Sequence, residues 1–342
     1  MKLPFEKEYR NAYHQKIEQI FDSNFWSEGK MVREFEDKFS AYINCPSLAV
    51  CNGGAGLLTI FEYLNVKDCD VIVPANTFWA TSVAVKKAGG NVIYADCNQY
   101  DLCISLESIK RQVTKNTKAV VVVHIGGHIA FDIDEIANFC NKNNLFLVED
   151  CAHAHGAVYN NKMAGRWGFA GAYSFYATKT MPTGEGAMVC SQNIDFLNWL
   201  KLYRNYGKNV VDGHVEYLIP NGFNYRMNEF TAALGIVQLE RLPVILEFKQ
   251  KLAEKFDTIF DRKVELPKGM ISGFYKYIVF DYELREQTGQ VFGRGDMGYR
   301  IENLDQTLPN TEWVAEHHKC VPIYYGWDKS EWPVEKLKEA LL

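Results

Sequence analysis

Two side chains of this chain sit where reactive groups are expected. Lys179 lies within Ser174-Phe175-Tyr176-Ala177-Thr178-Lys179-Thr180-Met181-Pro182-Thr183-Gly184-Glu185-Gly186, and Asp150 follows the apolar run Leu145 to Val148. A lysine is ordinarily a solvated surface charge. On a turn between two apolar strands it is partly desolvated, which lowers its pKa and frees its lone pair to form an imine with a carbonyl. Asp150 opens Asp150-Cys151-Ala152-His153-Ala154-His155-Gly156, where an acid either caps the next turn or serves a site. His153 and His155 share the spacing of metal ligands on a strand, but neither a cysteine pair nor an H-E-x-x-H context supports a metal. The third feature is Asn52-Gly53-Gly54-Ala55-Gly56, between a strand and a helix. Small residues let the backbone approach a ligand, and free N–H groups at a helix start attract an anion such as phosphate; the same letters also make a plain tight turn. The dinucleotide fingerprint fails, because its third glycine position is Thr59, and no G-x-x-x-x-G-K-[ST] occurs. An imine-forming lysine, an acid able to pair with a protonated pyridine nitrogen and a phosphate loop are together the parts of a pyridoxal 5'-phosphate site.

The elements that must position these residues alternate. Short apolar runs at 48–51, 71–74, 92–95, 119–124 and 145–148 read as strands, and helical periodicity falls at 57–64, 77–87 and 134–143. Near-continuous apolar strands alternating with helices predict an α/β fold with a mostly parallel sheet covered on both faces. The runs 172–175 and 187–190 have no helix between them, so the sheet is expected to be mixed there. An amphipathic helix is expected at 229–242, stopping before Pro243, with a second from 244 to 260 leading into two strands and a closing helix, 333–342. The domain boundary is placed near 245, giving a large domain, 1–245, and a small C-terminal α+β domain, 246–342.

Six blocks make the chain resemble the DegT/DnrJ/StrS family of fold-type I, pyridoxal-phosphate-dependent sugar aminotransferases. They are Gly29 to Tyr42, CNGGAGLL, VPANTFWATSVAVKKAG, VEDCAHAHGA, SFYATKTMPTGEGAMV and NGFNYRMNEFTAALGIVQLERL. The resemblance spans residues 20 to 245 and is most specific in the last three blocks. It implies that Lys179 holds the cofactor as an internal aldimine and then shuttles a proton, while Asp150 keeps the pyridine nitrogen protonated. It implies backbone phosphate contacts from Gly54 and Ala55, a hydroxyl contact from Ser174, and Phe78 stacked on the ring, with Trp79 competing for that place. Asn224 would reach the phosphate of a neighbouring subunit, which implies a homodimer with shared sites. Family members more often carry threonine or serine at the position of Gly54 and glutamine at that of His153, here an imidazole able to donate to the phenolic oxygen. The implied reaction moves an amino group from glutamate or glutamine to a keto-sugar, most often one linked to a nucleotide. The wording EDCAHAHG also resembles members that aminate cyclitol ketones. A sugar lyase or dehydratase is a further alternative, disfavoured because dehydrating relatives carry histidine in place of the lysine. A non-catalytic binding protein on the same fold and, weakened by the missing fingerprint, a nicotinamide oxidoreductase are the remaining ones.

Composition agrees with an ordinary globular enzyme. Of 342 residues, 47% are hydrophobic and 23% charged, and a net charge of -5 argues against a nucleic-acid partner. The polar start MKLPFEKEYR and the lack of a long apolar stretch predict neither a signal peptide nor a membrane span. Nine scattered cysteines read as buried reduced thiols, and a cytoplasmic location is expected. In 287–300, Arg294 and Arg300 are candidates for a substrate phosphate or carboxylate, with a solvated loop as the alternative. His317 and His318 are expected at the surface, Trp26 and Trp167 in packing roles, and one of Tyr173 and Tyr176 facing the site.

Overall fold

A computed structural model describes residues 4–342; Met1, Lys2 and Leu3 of the polar start lie outside the described residues. Helices α1 (Lys7–Ser23) and α2 (Lys30–Ile43) lead into β1 (Ser47–Val50) and α3 (Gly53–Leu64). Then come β2 (Asp70–Pro74), α4 (Trp79–Lys87), β3 (Asn91–Ala95), α5 (Leu106–Gln112), β4 (Thr117–Val123), α6 (Ile133–Lys142) and β5 (Phe146–Asp150). A small hairpin, β6 (Val158–Tyr159) and β7 (Lys162–Met163), precedes β8 (Ala170–Ser174) and β9 (Ala187–Cys190).

Seven strands form one sheet in the order β1-β9-β8-β5-β4-β2-β3. The five from β8 to β3 are parallel, while β9 runs antiparallel to both β8 and β1. The expected mixed sheet is therefore observed, and the antiparallel strand lies where the helix is missing. Register explains how distant residues meet. Ala187 pairs with Val50 on one side and Ser174 on the other, while Asp150 pairs with Ala172 and with Val123. The carboxyl ends of β1, β8, β5 and β4 thus finish in one row, the edge where open α/β sheets bind ligands.

Beyond the sheet come α7 (Ile194–Tyr203) and an exposed hairpin, β10 (Lys208–Val211) and β11 (His214–Tyr217). Helix α8 (Glu229–Asp257) packs on α1 and α2. It passes through Pro243, where a break is expected from the sequence. Proline removes one backbone bond and disfavours a helix interior. Here it faces solvent, while Leu242, Ile245, Leu252 and Phe256 bury the opposite side, so packing overrides the local preference. The chain ends with β12 (Met270–Ile271), β13 (Tyr277–Phe280), α9 (Gly298–Ile301), α10 (Pro309–His317), β14 (His318–Val321) and α11 (Val334–Leu341). Strand β12 pairs with β6, and β13 with β14. A second core of Leu252, Phe256, Tyr277, Val321, Trp327 and Leu337 joins the end of α8 to this region. Among the described residues, no helix is long and apolar enough to cross a membrane.

One expectation fails in this region, and one open pair of alternatives is narrowed. His318 is fully buried, its Nε2 accepting from the Val291 amide at 2.9 Å and its Nδ1 bonded to the Val314 carbonyl. Its position after a helix suggested the surface, but the β13–β14 pairing turns it inward. Arg294 and Arg300 are committed to Glu312, and Arg294 also to Glu316, so both guanidinium groups anchor α10.

Candidate active site

Asp150 ends β5 with its side chain buried, and both carboxylate oxygens have a partner. Oδ1 accepts from the Ala152 amide at 3.1 Å and Oδ2 from the Thr81 hydroxyl at 3.0 Å, while Thr81 is in turn 2.9 Å from the Thr77 hydroxyl. Burial raises the pKa of Asp150, and these donors, with the charge of Lys179, oppose the rise. Its neighbour Glu149 points to the opposite face of the strand and accepts from the amides of Gly165, Trp167 and Gly168 at 2.7 Å each. His124 Nε2 lies 3.0 Å from the same carboxylate. The Ala130 amide donates to His124 Nδ1 at 3.1 Å, so the ring proton is on Nε2 and points at Glu149. Glu149, His124 and Cys151 come together, but the carboxylate is already saturated with protein donors and clamps the 164–168 loop beneath Asp150.

Lys179 lies on the loop joining β8 to β9. That loop closes through bonds from Thr183 N to Phe175 O at 2.8 Å and from Lys179 N to Tyr176 O at 2.9 Å. Gly186 has a φ of +140°, and a Cβ there would lie 3.0 Å from Met227 and Thr183, so only glycine turns the chain into β9 at this point. The lysine is half-buried, with its Nζ 5.0 Å from the centre of the Tyr275 ring. Burial lowers its pKa to about 8, against the pull of Asp150 and with help from the positive charge of Lys276. Near neutral pH a useful fraction is then the free amine that an imine requires.

The remaining expected residues surround these two. Phe78 is 81% exposed, whereas Trp79 packs against the core, so Phe78 is the ring free to cover a ligand. His153 stacks on Tyr275 with ring centres 4.0 Å apart, and its buried Nδ1 has no partner. Burial, then the charges of Lys179 and Lys276, keep this imidazole neutral. Ser174 touches the start of α3: a Cβ built on Gly53 would be 3.1 Å from that of Ser174. Ala55 donates its amide to Asn52 Oδ1 at 2.9 Å as a helix cap, while the Gly54 amide finds no acceptor among the described residues. Asn224 is exposed near the β10–β11 hairpin, and its neighbour Tyr225 ties this segment to the end of β1 by accepting from the Cys51 amide at 2.8 Å. Tyr173 is buried and donates to the Ala164 carbonyl, which leaves Tyr176, half exposed, as the tyrosine free to meet a ligand. Trp167 Nε1 donates to Asp134 at 2.8 Å, and Trp26 packs edge-on against Phe21 and Phe230.

The space beside Gly54 is testable. A Cβ there would meet only Asn52 Oδ1 at 3.5 Å and Ala80 Cβ at 3.8 Å, both ordinary contacts. Gly54→Ser should fold normally and hold pyridoxal phosphate at least about tenfold more tightly in an absorbance titration, since a bond to a charged group contributes about 1.5–3 kcal/mol. Gly53→Ser, which crowds Ser174, should weaken retention.

Sequence reasoning missed Thr81, Tyr275 and two further lysines. Lys249 is only 5% exposed; its Nζ is 3.0 Å from the Phe274 carbonyl and 3.5 Å from the Thr180 hydroxyl. Burial, aided by the charge of Lys276, lowers its pKa to about 7. In the unfolded chain both Lys179 and Lys249 stay protonated to about 10.5. From pH 7 to 8.5 the unfolded state therefore binds more protons at these two lysines, so their contribution to the stability of the cofactor-free protein rises with pH. Asp101 and buried thiols such as Cys140 and Cys320, whose pKa burial raises, contribute in the opposite direction. The buried histidines His128, His155 and His318, lowered to about 4, 3 and 4, make their contribution below this window. Denaturation across it should show a less positive slope in Lys249→Met than in the unaltered protein; equal slopes would contradict the lowered value.

A lysine set to form imines, facing an acid one strand away at the carboxyl edge of this sheet, defines a pyridoxal-phosphate-dependent enzyme of fold type I. The residues fit the group through the open Gly54 amide, the unpartnered His153 Nδ1 and the uncovered ring of Phe78. The sequence profile of the DegT/DnrJ/EryC1/StrS aminotransferase family matches residues 7–271, and the chain belongs to that family. It is 32% identical over 303 residues to GDP-perosamine synthase from Vibrio cholerae, covering 85% of this chain and 81% of that protein. It is 27% identical over 346 residues to dTDP-4-dehydro-2,3,6-trideoxy-D-glucose 4-aminotransferase from Saccharopolyspora spinosa, covering 92% and 90%. The aminotransferase TlmJ from Streptoalloteichus hindustanus superposes with a TM-score of 0.88 at 23% identity, over 99% of this chain and 97% of the other. So does an E. coli GDP-4-keto-6-deoxy-D-mannose-3-dehydratase with bound hydrated PLP, at 0.86 and 22%, over 100% and 98%. Fold alone therefore does not separate transfer from dehydration.

Proposed function

We propose that this protein transfers the amino group of glutamate, with glutamine as the alternative donor, to a nucleotide-linked keto-deoxy-sugar. The observation that carries the reading is the half-buried amine of Lys179, lowered to about 8 beside the Asp150 carboxylate. Pyridoxal phosphate, when bound, supplies a carbonyl for the lysine and a ring that accepts electrons. This chain's residues do the rest. Asp150 holds a proton on the ring nitrogen, and Lys179 moves a proton at its Nζ. Phe78 covers one ring face and excludes water, His153 donates to the phenolic oxygen, and Gly54, Ser174 and, once exchanged from the Asn52 cap, the Ala55 amide hold the phosphate. The relatives named above act on sugars carried by GDP and by dTDP, which favours a nucleotide-linked acceptor without choosing the nucleotide.

A homodimer with shared sites is part of the proposal. Its support is the exposed apolar face of the β10–β11 hairpin formed by Val210, Val215 and Tyr217, near exposed Asn224. The two domains are proposed to divide along α8, and the enzyme is proposed to work in the cytoplasm. The test is to reconstitute the protein with pyridoxal phosphate, record its visible band, add L-glutamate or L-glutamine, and then supply GDP-, dTDP- and UDP-linked keto-sugars or scyllo-inosose. Bleaching by a donor, reversed by a nucleotide keto-sugar, supports the proposal. Reversal by the cyclitol alone, or sugar deoxygenation without donor consumption, would replace it.

A further inference from the structure

Lys179 also lines a cavity of about 510 Å³ that reaches away from Asp150. Three other basic residues line it, Arg241, Lys249 and Lys276. Arg241 is neutralised by Glu6 at 2.8 Å, but the three lysines have no carboxylate within 4.0 Å among the described residues. Lys249 bonds to a neutral carbonyl and a hydroxyl, and Lys276 donates to the Thr288 carbonyl at 3.1 Å. Neutral acceptors satisfy N–H groups without cancelling charge. The repulsion is felt within the cluster, because Lys276 disfavours the protonated forms of both Lys179 and Lys249. Of the two anions already assigned, Asp150 offsets part of the charge of Lys179 and leaves Lys249 without a compensating anion. Asp150 does not line the cavity, and the start of α3, where the cofactor phosphate belongs, lies outside it. Gathering unpaired ammonium groups in one partly buried space is costly unless a ligand brings the missing charge.

The lining also describes the shape of that ligand. Pro182, Ile245 and Ile323 give apolar surface between the cationic groups, suited to a short methylene chain with an acid at each end. We propose that Lys276 and Lys249 form the carboxylate subsite for a dicarboxylic amino donor. Lys276, the more accessible of the two, then selects glutamate over glutamine or a monocarboxylic amino acid. This rests on the aminotransferase reading above and adds the donor to it.

The experiment uses the cofactor-loaded enzyme with glutarate as an unreactive dicarboxylate, butyrate as its one-carboxylate control and inorganic pyrophosphate as a diphosphate. Calorimetry should show glutarate binding well and butyrate poorly. Lys276→Met should weaken glutarate about tenfold or more while keeping the visible band, and Lys276→Arg should restore part of the affinity. The L-glutamate concentration that half-saturates bleaching should rise by a similar factor, well beyond any change in the maximal rate that follows from the higher Lys179 pKa once Lys276 is gone. Unaltered glutarate affinity in Lys276→Met overturns the proposal. So does a loss confined to pyrophosphate, which would make the cavity a site for substrate phosphates. If no amino donor bleaches the unaltered holoenzyme, the aminotransferase reading fails separately, and glutarate binding still decides the subsite.

Discussion

Lys179→Ala is expected to fold, to bind pyridoxal phosphate without covalent attachment, and to lose both half-reactions. The fold should survive because Lys179 Nζ makes no ion pair, and the backbone bond from its amide to Tyr176 is kept by any residue but proline. Removing a half-buried amine also relieves its desolvation and its repulsion by Lys276, so the melting temperature should hold or rise. Activity should fall by at least about 10³, since positioned acid–base groups alone contribute 10²–10⁴ and the covalent attachment is lost as well. Lys179→Arg tests the chemistry against the charge, because a guanidinium keeps the positive charge but forms no imine. Single-turnover mixing with L-glutamate, followed by absorbance, measures both variants. An alanine variant within tenfold of the unaltered rate would remove Lys179 from the reaction and return the non-catalytic reading to favour.

The distance in sequence between partners decides what could be read in advance. Lys179, Asp150 and the Gly53–Gly54 turn were legible because each sits directly after an apolar strand. Their meeting required only that the strands be parallel and adjacent, which the alternating pattern supplied. Thr81 could not be assigned: it reads as one more helical residue, and its hydroxyl meets Asp150 only because β2 and β5 flank β4. Tyr275, Lys276 and Lys249 lie about 70 to 100 residues beyond Lys179. They reach it through the course of α8 past Pro243 and the return of the chain into β13, features set by packing rather than local preference. His318 was misplaced for the same reason, because its burial depends on pairing between β13 and β14. Where a contact is made by register, periodicity anticipated it; where it is made by a crossover between the two cores, nothing local did.

Asp150→Asn separates the charge of this residue from its size, and its effect should be the second largest. An asparagine oxygen can still accept from the Thr81 hydroxyl or the Ala152 amide, so the loop after β5 should keep its shape. What disappears is the negative charge. An uncharged amide cannot hold a proton on the ring nitrogen by charge pairing, and losing one partner of a buried charged pair costs roughly 2–5 kcal/mol. Cofactor affinity should drop accordingly, and transamination should fall by about 10² or more even at saturating pyridoxal phosphate. A second readout comes from Lys179, whose pKa the Asp150 carboxylate raises. Removing that carboxylate should move the lysine below about 8, so free pyridoxal phosphate should attach to the cofactor-free variant with its rate midpoint at lower pH than in the unaltered protein. Asp150→Ala would strand the Thr81 hydroxyl and the Ala152 amide without acceptors and confuse a charge effect with a structural one. If Asp150→Asn retains both the affinity and the pH midpoint, Asp150 is a turn cap. The acid that protonates the ring must then be sought elsewhere, because the only other acid ending β5, Glu149, is spent on the 164–168 loop.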